Sequence, residues 1–245
     1  MTDTMQHLLL KAALILSGEF ASHLAYSQPQ STNPDSEERQ KYTSKTGDFA
    51  GRSFKVLRRG LGVCYLSLGL AETAVLLAHA FPSPLSERII ATLCPKIPDV
   101  SKLMITPAFL VAWVSSVAGC TIRLACHRKL GRFFTHQLAI RKDHKLITSG
   151  PYAIVRHPSY TGALLNLTGF MVLLLGRNSY VQECGMLTYP VGKIIIGLGV
   201  AGPVAGMLML VMRTSVEDQV LKGEFGEQWI KWSKKTPYKL FPGIF

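Results

Sequence analysis

Charge is scarce in this 245-residue chain: Asp, Glu, Lys and Arg together make up 17% of it, against about 25% in soluble domains. Acidic residues are the scarcer sign, 15 against 27 basic ones, which leaves a formal net charge of +12. Hydrophobic residues reach 48%, mean hydropathy is +0.22, and the apolar residues come in long blocks. This combination argues against a large soluble core and for a polytopic membrane protein. A net positive charge can signal nucleic acid, but here the basic residues flank apolar spans. Juxtamembrane charge accounts for them, and no nucleic-acid partner is expected.

Cysteine is sparse and odd in number: Cys64, Cys94, Cys120, Cys126 and Cys184, with no C-x-x-C. Neither a disulfide framework nor a zinc site is expected. His127, His136, His144 and His157 share one polar stretch, but their spacings of 9, 8 and 13 match no helical or zinc-finger ligand pair, so no metal is expected. Internal repeats, low-complexity tracts and a Ser/His/Asp or Cys/His nucleophile constellation are all missing. Asn166-Leu-Thr168 fits the glycosylation pattern but lies inside an apolar span, where that reading is dismissed.

What the chain does have is spans. Leu8 to Tyr26 is a first block diluted by Lys11, Glu19 and His23. It lacks a preceding basic region, so it reads as a weak span or anchor rather than a cleaved signal peptide. Ser27 to Phe54 is a polar linker. Val56 to Phe81 reaches the roughly 20 residues a span requires, ended by Pro82 and Pro84. Glu72 inside it should face the bundle or a cavity, because facing lipid is costly. Leu103 to Cys126, Pro158 to Leu175 and Val191 to Met212 complete the set. The segments Ser27–Arg59, Arg123–Pro158 and Arg213–Phe245 hold 7, 8 and 6 of the 27 Lys and Arg. By the positive-inside rule these three segments face the cytosol.

The most unusual stretch runs from His144 to Gly162, H-K-L-I-T-S-G-P-Y-A-I-V-R-H-P-S-Y-T-G. Gly150-Pro151 marks a turn, and Pro158 suits the first position of a helix, with His157 as its cap. The N–H groups of Ser159 and Tyr160, in the first turn, would lack helical partners and suit an anionic or polar ligand group. The plainer reading is a loop that positions a membrane helix.

The longer pattern S-G-P-Y-x-x-x-R-H-P-S-Y-x-G resembles the signature of the isoprenylcysteine carboxyl methyltransferases. The shorter R-H-P-x-Y-x-G also occurs in membrane phospholipid N-methyltransferases and related membrane reductases. The tail narrows the choice: R-T-x-x-E-(E/D)-x-x-L-x-x-x-F-G-E-x-(Y/W), from Arg213 to Trp229, then a Pro and P-x-I, is similar to that family's C-terminal signature. The resemblance covers roughly His136 to Phe245.

The resemblance implies an enzyme that uses S-adenosylmethionine to methylate the C-terminal carboxylate of a prenylated cysteine. It would sit in the endoplasmic reticulum membrane, with prenylated protein C-termini and membrane lipid as partners. Arg213 would hold the substrate carboxylate. Gln137, His144, Lys145, Leu146, Ile147, Tyr152, His157, Pro158, Ser159, Tyr160 and Glu217 would hold the cofactor. Two features depart from the family. After R-T the chain has Ser215, Val216, Glu217, Asp218, with only the last two acidic, and its span count of about five is lower than in animal members.

By spacing alone, Arg213 and Glu217 are an i,i+4 pair worth about 0.2–0.5 kcal/mol. Trp229 and Trp232 read as interfacial anchors, and Gly223 and Gly226 as helix breakers. Methylation of a carboxylate needs no general base, because a carboxyl group with a pKa near 3.5 is ionised at pH 7. It needs alignment, exclusion of water and a cation, and the planar fork of Arg213 suits a carboxylate. An amine acceptor would instead need a route for a proton. The chain ends Gly-Ile-Phe, which is no C-a-a-X box, so it is not expected to be its own substrate.

The expected fold is therefore an all-α polytopic membrane protein with about five transmembrane helices and a cytosol-facing cofactor pocket closed by the C-terminal helices. Residues 1–55 form the weak first span and linker, 56–135 two membrane helices with a basic loop, and 136–245 the catalytic region. The alternatives are a phospholipid or other small-lipid methyltransferase on the same scaffold, or a non-catalytic membrane scaffold.

Overall fold

The computed structural model of the chain describes residues 2–26, 52–94, 102–134 and 143–244. Most of the polar linker, and Gln137 with His136, lie outside the described residues. Helices run over Thr2–Tyr26 (α1), Arg52–Ala80 (α2), Pro84–Leu93 (α3), Pro107–Leu130 (α4), Pro158–Leu175 (α5), Tyr180–Glu183 (α6), Pro190–Phe225 (α7) and Glu227–Lys235 (α8). The described residues include no strand. Among the described residues, five segments are long and apolar enough to cross a membrane: Asp3–Tyr26, Arg59–Ala80, Pro107–Phe133, Pro158–Glu183 and Pro190–Phe225. The protein is an all-α polytopic membrane protein, as its hydropathy predicts.

Proline and glycine set several of the boundaries. Pro158 opens α5 at the expected residue. Pro82 and Pro84 divide their labour: α2 stops before the first, and Pro84 is the first residue of α3, a helix the sequence reading had missed. Its entry is closed by a reciprocal capping box, Ser86 N–H to Ser83 Oγ at 3.1 Å and Ser83 N–H to Ser86 Oγ at 2.6 Å. Contrary to the expectation, Gly223 does not break α7, which continues to Phe225. Gly226 does break it, at φ +51°, a region an L side chain rarely adopts. At 36 residues and 1.5 Å each, α7 is about 54 Å long, longer than the ~30 Å hydrocarbon core.

The described residues fall into two compact units. The first is drawn from Met1–His23, Arg58–Ala118 and Leu165–Val204, with a core that includes Leu8, Ile15, Leu76, Leu103, Leu173 and Val181. Two of its buried charges pair with each other. Lys11 Nζ lies 2.7 Å from Glu72 Oε1, both side chains 1% exposed, and also donates to the Asn178 carbonyl at 2.7 Å. The other Glu72 oxygen accepts the Tyr180 N–H at 3.0 Å. Glu72 thus faces the bundle, as the cost of a carboxylate in lipid requires. Asn166 is fully buried and donates to Ser116, its carbonyl at 2.9 Å and its hydroxyl at 3.0 Å.

The cysteine reading is corrected in the same unit. Cys94 and Cys184 form a disulfide with Cα atoms 4.5 Å apart, across 90 residues of sequence. They follow directly on α3 and α6, so the pairing arises from tertiary structure that no local spacing could reveal.

Candidate functional site

The second unit comprises Leu24–Leu57, Gly119–Leu164 and Ala205–Phe245, and it holds every described residue to which a site role was assigned. Its small core is Cys126, Tyr152 and Trp232, with Ile122, Leu130, Leu146, Ile147 and Trp229 packed against it. The chain enters this core through the turn of 3₁₀ helix Gly150–Ala153. Burial pushes the Tyr152 phenol well above its ordinary pKa, and nearby Cys126 and Glu217 add to the shift. Trp232 is only 6% exposed and donates its indole N–H to the Tyr152 carbonyl at 3.1 Å. It is an internal strut, not the interfacial anchor expected from sequence, because α8 turns its aromatic face inward.

Gly162 shows how closely α5 approaches α4. A Cβ at this position would lie 2.7 Å from the Gly119 carbonyl oxygen and 2.9 Å from Arg123 Cγ. The last glycine of the central motif is therefore a packing requirement. Arg123, counted in sequence as a loop charge, belongs to α4 and is 5% exposed. It donates to the Ala25 carbonyl at 2.6 Å and, at the start of α5, to the Ser159 carbonyl at 3.2 Å and hydroxyl at 3.3 Å. Buried among carbonyls, it sets the position of Ser159.

At the first turn of α5 the Tyr160 hydroxyl donates to Glu217 Oε2 at 2.6 Å. Arg213, one turn earlier on α7, lies beside both. The i,i+4 pair is thus a triad with Tyr160. The His157 ring stacks on Tyr160 at 5.6 Å between centroids, and its Nε2 lies 3.1 Å from Asp218 Oδ1. Arg156 reaches Asp218 Oδ2 through Nε and Nη2, both at 3.2 Å.

The tail passes over the same turn. Arg156 Nη1 donates to the carbonyls of Thr236 and Pro237 at 3.0 and 2.6 Å. The backbone N–H groups of Arg156 and His157 donate to the Tyr238 and Lys239 carbonyls at 2.9 and 2.8 Å. Thr161 Oγ1 donates to the Leu240 carbonyl at 2.6 Å. The first-turn N–H groups were expected to lack partners, yet that of Tyr160 donates to the His157 carbonyl at 2.9 Å.

Among the proposed cofactor residues, His144 is half-buried, with ring centroids 4.7 Å from Phe133 and 5.8 Å from Phe225. Lys145 is exposed, and Leu146 and Ile147 are half-buried beside Tyr152. His157, Pro158 and Ser159 are buried. Gln137 lies outside the described residues. Arg123, Arg156, Asp218 and Trp232 were missed. The one local signal was charge within or beside an apolar span, since such groups are costly unless they are used.

An anionic ligand group fits this site on one observation. Arg213 Nε and Trp229 Nε1 are buried donors with no acceptor among the described residues. Leaving such a donor unmet costs about 1–3 kcal/mol, so an acceptor brought by a ligand would be favoured there.

Comparison with known proteins agrees with the motifs. The model of the isoprenylcysteine carboxyl methyltransferase family matches residues 110–189. Protein-S-isoprenylcysteine O-methyltransferase B of Arabidopsis thaliana is 30% identical over 133 residues, covering 51% of this chain and 58% of that protein. The Schizosaccharomyces pombe protein-S-isoprenylcysteine O-methyltransferase is 36% identical over 80 residues, 28% of this chain and 34% of that protein. A probable 7-dehydrocholesterol reductase of Acanthamoeba polyphaga mimivirus is 26% identical over 115 residues, 45% of this chain and 21% of that one. The chain thus spans little more than half the length of the Arabidopsis relative. No solved structure matches it. Over residues 110–189 the chain is similar to the isoprenylcysteine carboxyl methyltransferase family.

Proposed function

We propose that this chain is an isoprenylcysteine carboxyl methyltransferase and esterifies the C-terminal carboxylate of a prenylated cysteine, with S-adenosylmethionine as methyl donor. The observation that carries this reading is Arg213: a half-buried arginine whose buried Nε has no acceptor among the described residues, beside Tyr160 and Glu217. When bound, S-adenosylmethionine supplies an electrophilic methyl group on a sulfonium. Arg213 holds the acceptor carboxylate, already ionised at pH 7, in a fork that fixes its orientation. Glu217 and Tyr160 line the cofactor side. His144, Lys145, Leu146, Ile147, Tyr152, His157, Pro158 and Ser159 complete that side, with Gln137 from the preceding segment. The tail keeps water from the first turn of α5.

The prenyl chain reaches this site from the bilayer between spans, and the cofactor from the cytosol. Two features support a cytosolic orientation in the endoplasmic reticulum membrane. The linker, the segment before α5 and the tail carry most of the basic residues. Five crossings alternate, so the Cys94 and Cys184 loops share the opposite side, where an oxidising lumen sustains a disulfide.

Arg213→Ala tests the reading. It should abolish ester formation while labelled S-adenosylmethionine still binds. Full activity in that variant would remove Arg213 from its role.

A further inference from the structure

We propose that Asp218 is a positioning residue for this site: it dictates the tautomer and placement of His157 and, through Arg156, seats the tail on the start of α5. The proposal rests on the methyltransferase reading for its functional consequence, but the contacts that carry it are independent of any ligand.

Asp218 is 7% exposed. One of its oxygens meets His157 Nε2 at 3.1 Å. The other accepts the Arg156 Nε–H at 3.2 Å and lies 3.2 Å from Nη2 in an ion pair. An ionised carboxylate only accepts, so Nε2 must carry the proton, and a neutral His157 then presents Nδ1 as an acceptor. With its other edge occupied, Arg156 turns Nη1 to the carbonyls of Thr236 and Pro237. One carboxylate thus organises the imidazole at the head of α5 and the guanidinium that holds the tail.

The neighbouring acid sharpens the argument. Glu217 and Asp218 are consecutive on α7, about 100° apart around the helix, and they grip Tyr160 and His157, three residues apart on the other element. Two adjacent carboxylates holding residues at this spacing allow one register of α7 against the head of α5. Arg213 is on α7 too, so its placement relative to Tyr160 follows from that register. The local sequence hides this, since Asp218 and His157 are 61 residues apart.

Asp218→Asn keeps the shape but leaves one accepting oxygen; Arg156, which can only donate, takes it, so the NH₂ turns to Nε2 and Nε2 must give up its proton. The full chain in lipid nanodiscs, labelled with ¹⁵N-histidine and assigned with a His157→Gln control, should show the proton moving from Nε2 to Nδ1. In the same sample the Kd for labelled S-adenosylmethionine should rise by about tenfold, as expected for roughly 1.4 kcal/mol of disturbed buried hydrogen bonding. The KM for a farnesyl-cysteine acceptor should rise less than that Kd, because the Glu217–Tyr160 bond still holds α7 where Arg213 lies. Asp218→Glu should recover part of the cofactor affinity.

An unchanged tautomer in Asp218→Asn would overturn the proposal. So would a common rise in both constants that merely tracks a lowered Tm, which would make Asp218 a general structural residue. If the wild-type chain bound no S-adenosylmethionine, the methyltransferase reading would fail, and the tautomer alone would decide whether Asp218 governs His157.

Discussion

Tyr160 donates its hydroxyl to Glu217 at 2.6 Å, so one hydrogen bond joins the first turn of α5 to α7 where Arg213 also lies. A hydrogen bond to a charged group contributes about 1.5–3 kcal/mol. Tyr160→Phe should therefore weaken S-adenosylmethionine binding by about tenfold or more, measured by equilibrium binding in nanodiscs. An unchanged Kd would show that Glu217 is held without Tyr160.

Lys11 and Glu72 are a buried pair in the first unit. Removing one partner strands a buried charge, so Lys11→Met should cost about 3–5 kcal/mol, whereas Lys11→Met with Glu72→Leu should recover much of it. Thermal unfolding of both variants in one detergent measures the difference. Equal losses in the two would mean that the Asn178 and Tyr180 contacts, not the charge, dominate.

Gly162 has no room for a methyl group against the Gly119 carbonyl. Gly162→Ala should lower stability by about 1–3 kcal/mol, the usual cost of forcing extra volume into a packed contact. A Tm equal to that of the wild type would show that α4 and α5 separate freely.

The Cys94–Cys184 disulfide offers a test of orientation. In sealed microsomes, a membrane-impermeant reductant followed by a maleimide should leave these two cysteines unlabelled until the membrane is opened. Labelling of the pair in intact vesicles would place those loops on the cytosolic side and reverse the orientation.

Sequence and structure agree where the signal is local. Pro158 opens α5 where a fixed φ and a missing N–H suit a helix start, and Glu72 faces inward because lipid penalises its charge. Arg213, Glu217 and Tyr160 were identified through motif resemblance and prove to be neighbours. What escaped depends on distant partners. Asp218 looked like the end of an acidic run, and only the fold brings His157 and Arg156 to it. Trp232 looked like an anchor because amphipathic spacing does not say which neighbour covers the aromatic face. Arg123 looked like one of the basic residues that close the span Leu103–Cys126, and only the fold brings the Ala25 and Ser159 carbonyls to it. Gly223 stayed helical because glycine lowers helix stability by only about 1 kcal/mol.

The most direct measurement is of the methyl acceptor. Membranes expressing the chain are incubated with labelled S-adenosylmethionine and a farnesyl-cysteine analogue bearing a free carboxylate. Base-labile label on that analogue, lost in Arg213→Ala, is the predicted result. Label confined to phospholipid, or no transfer to the analogue while the cofactor still binds, would contradict carboxyl methylation.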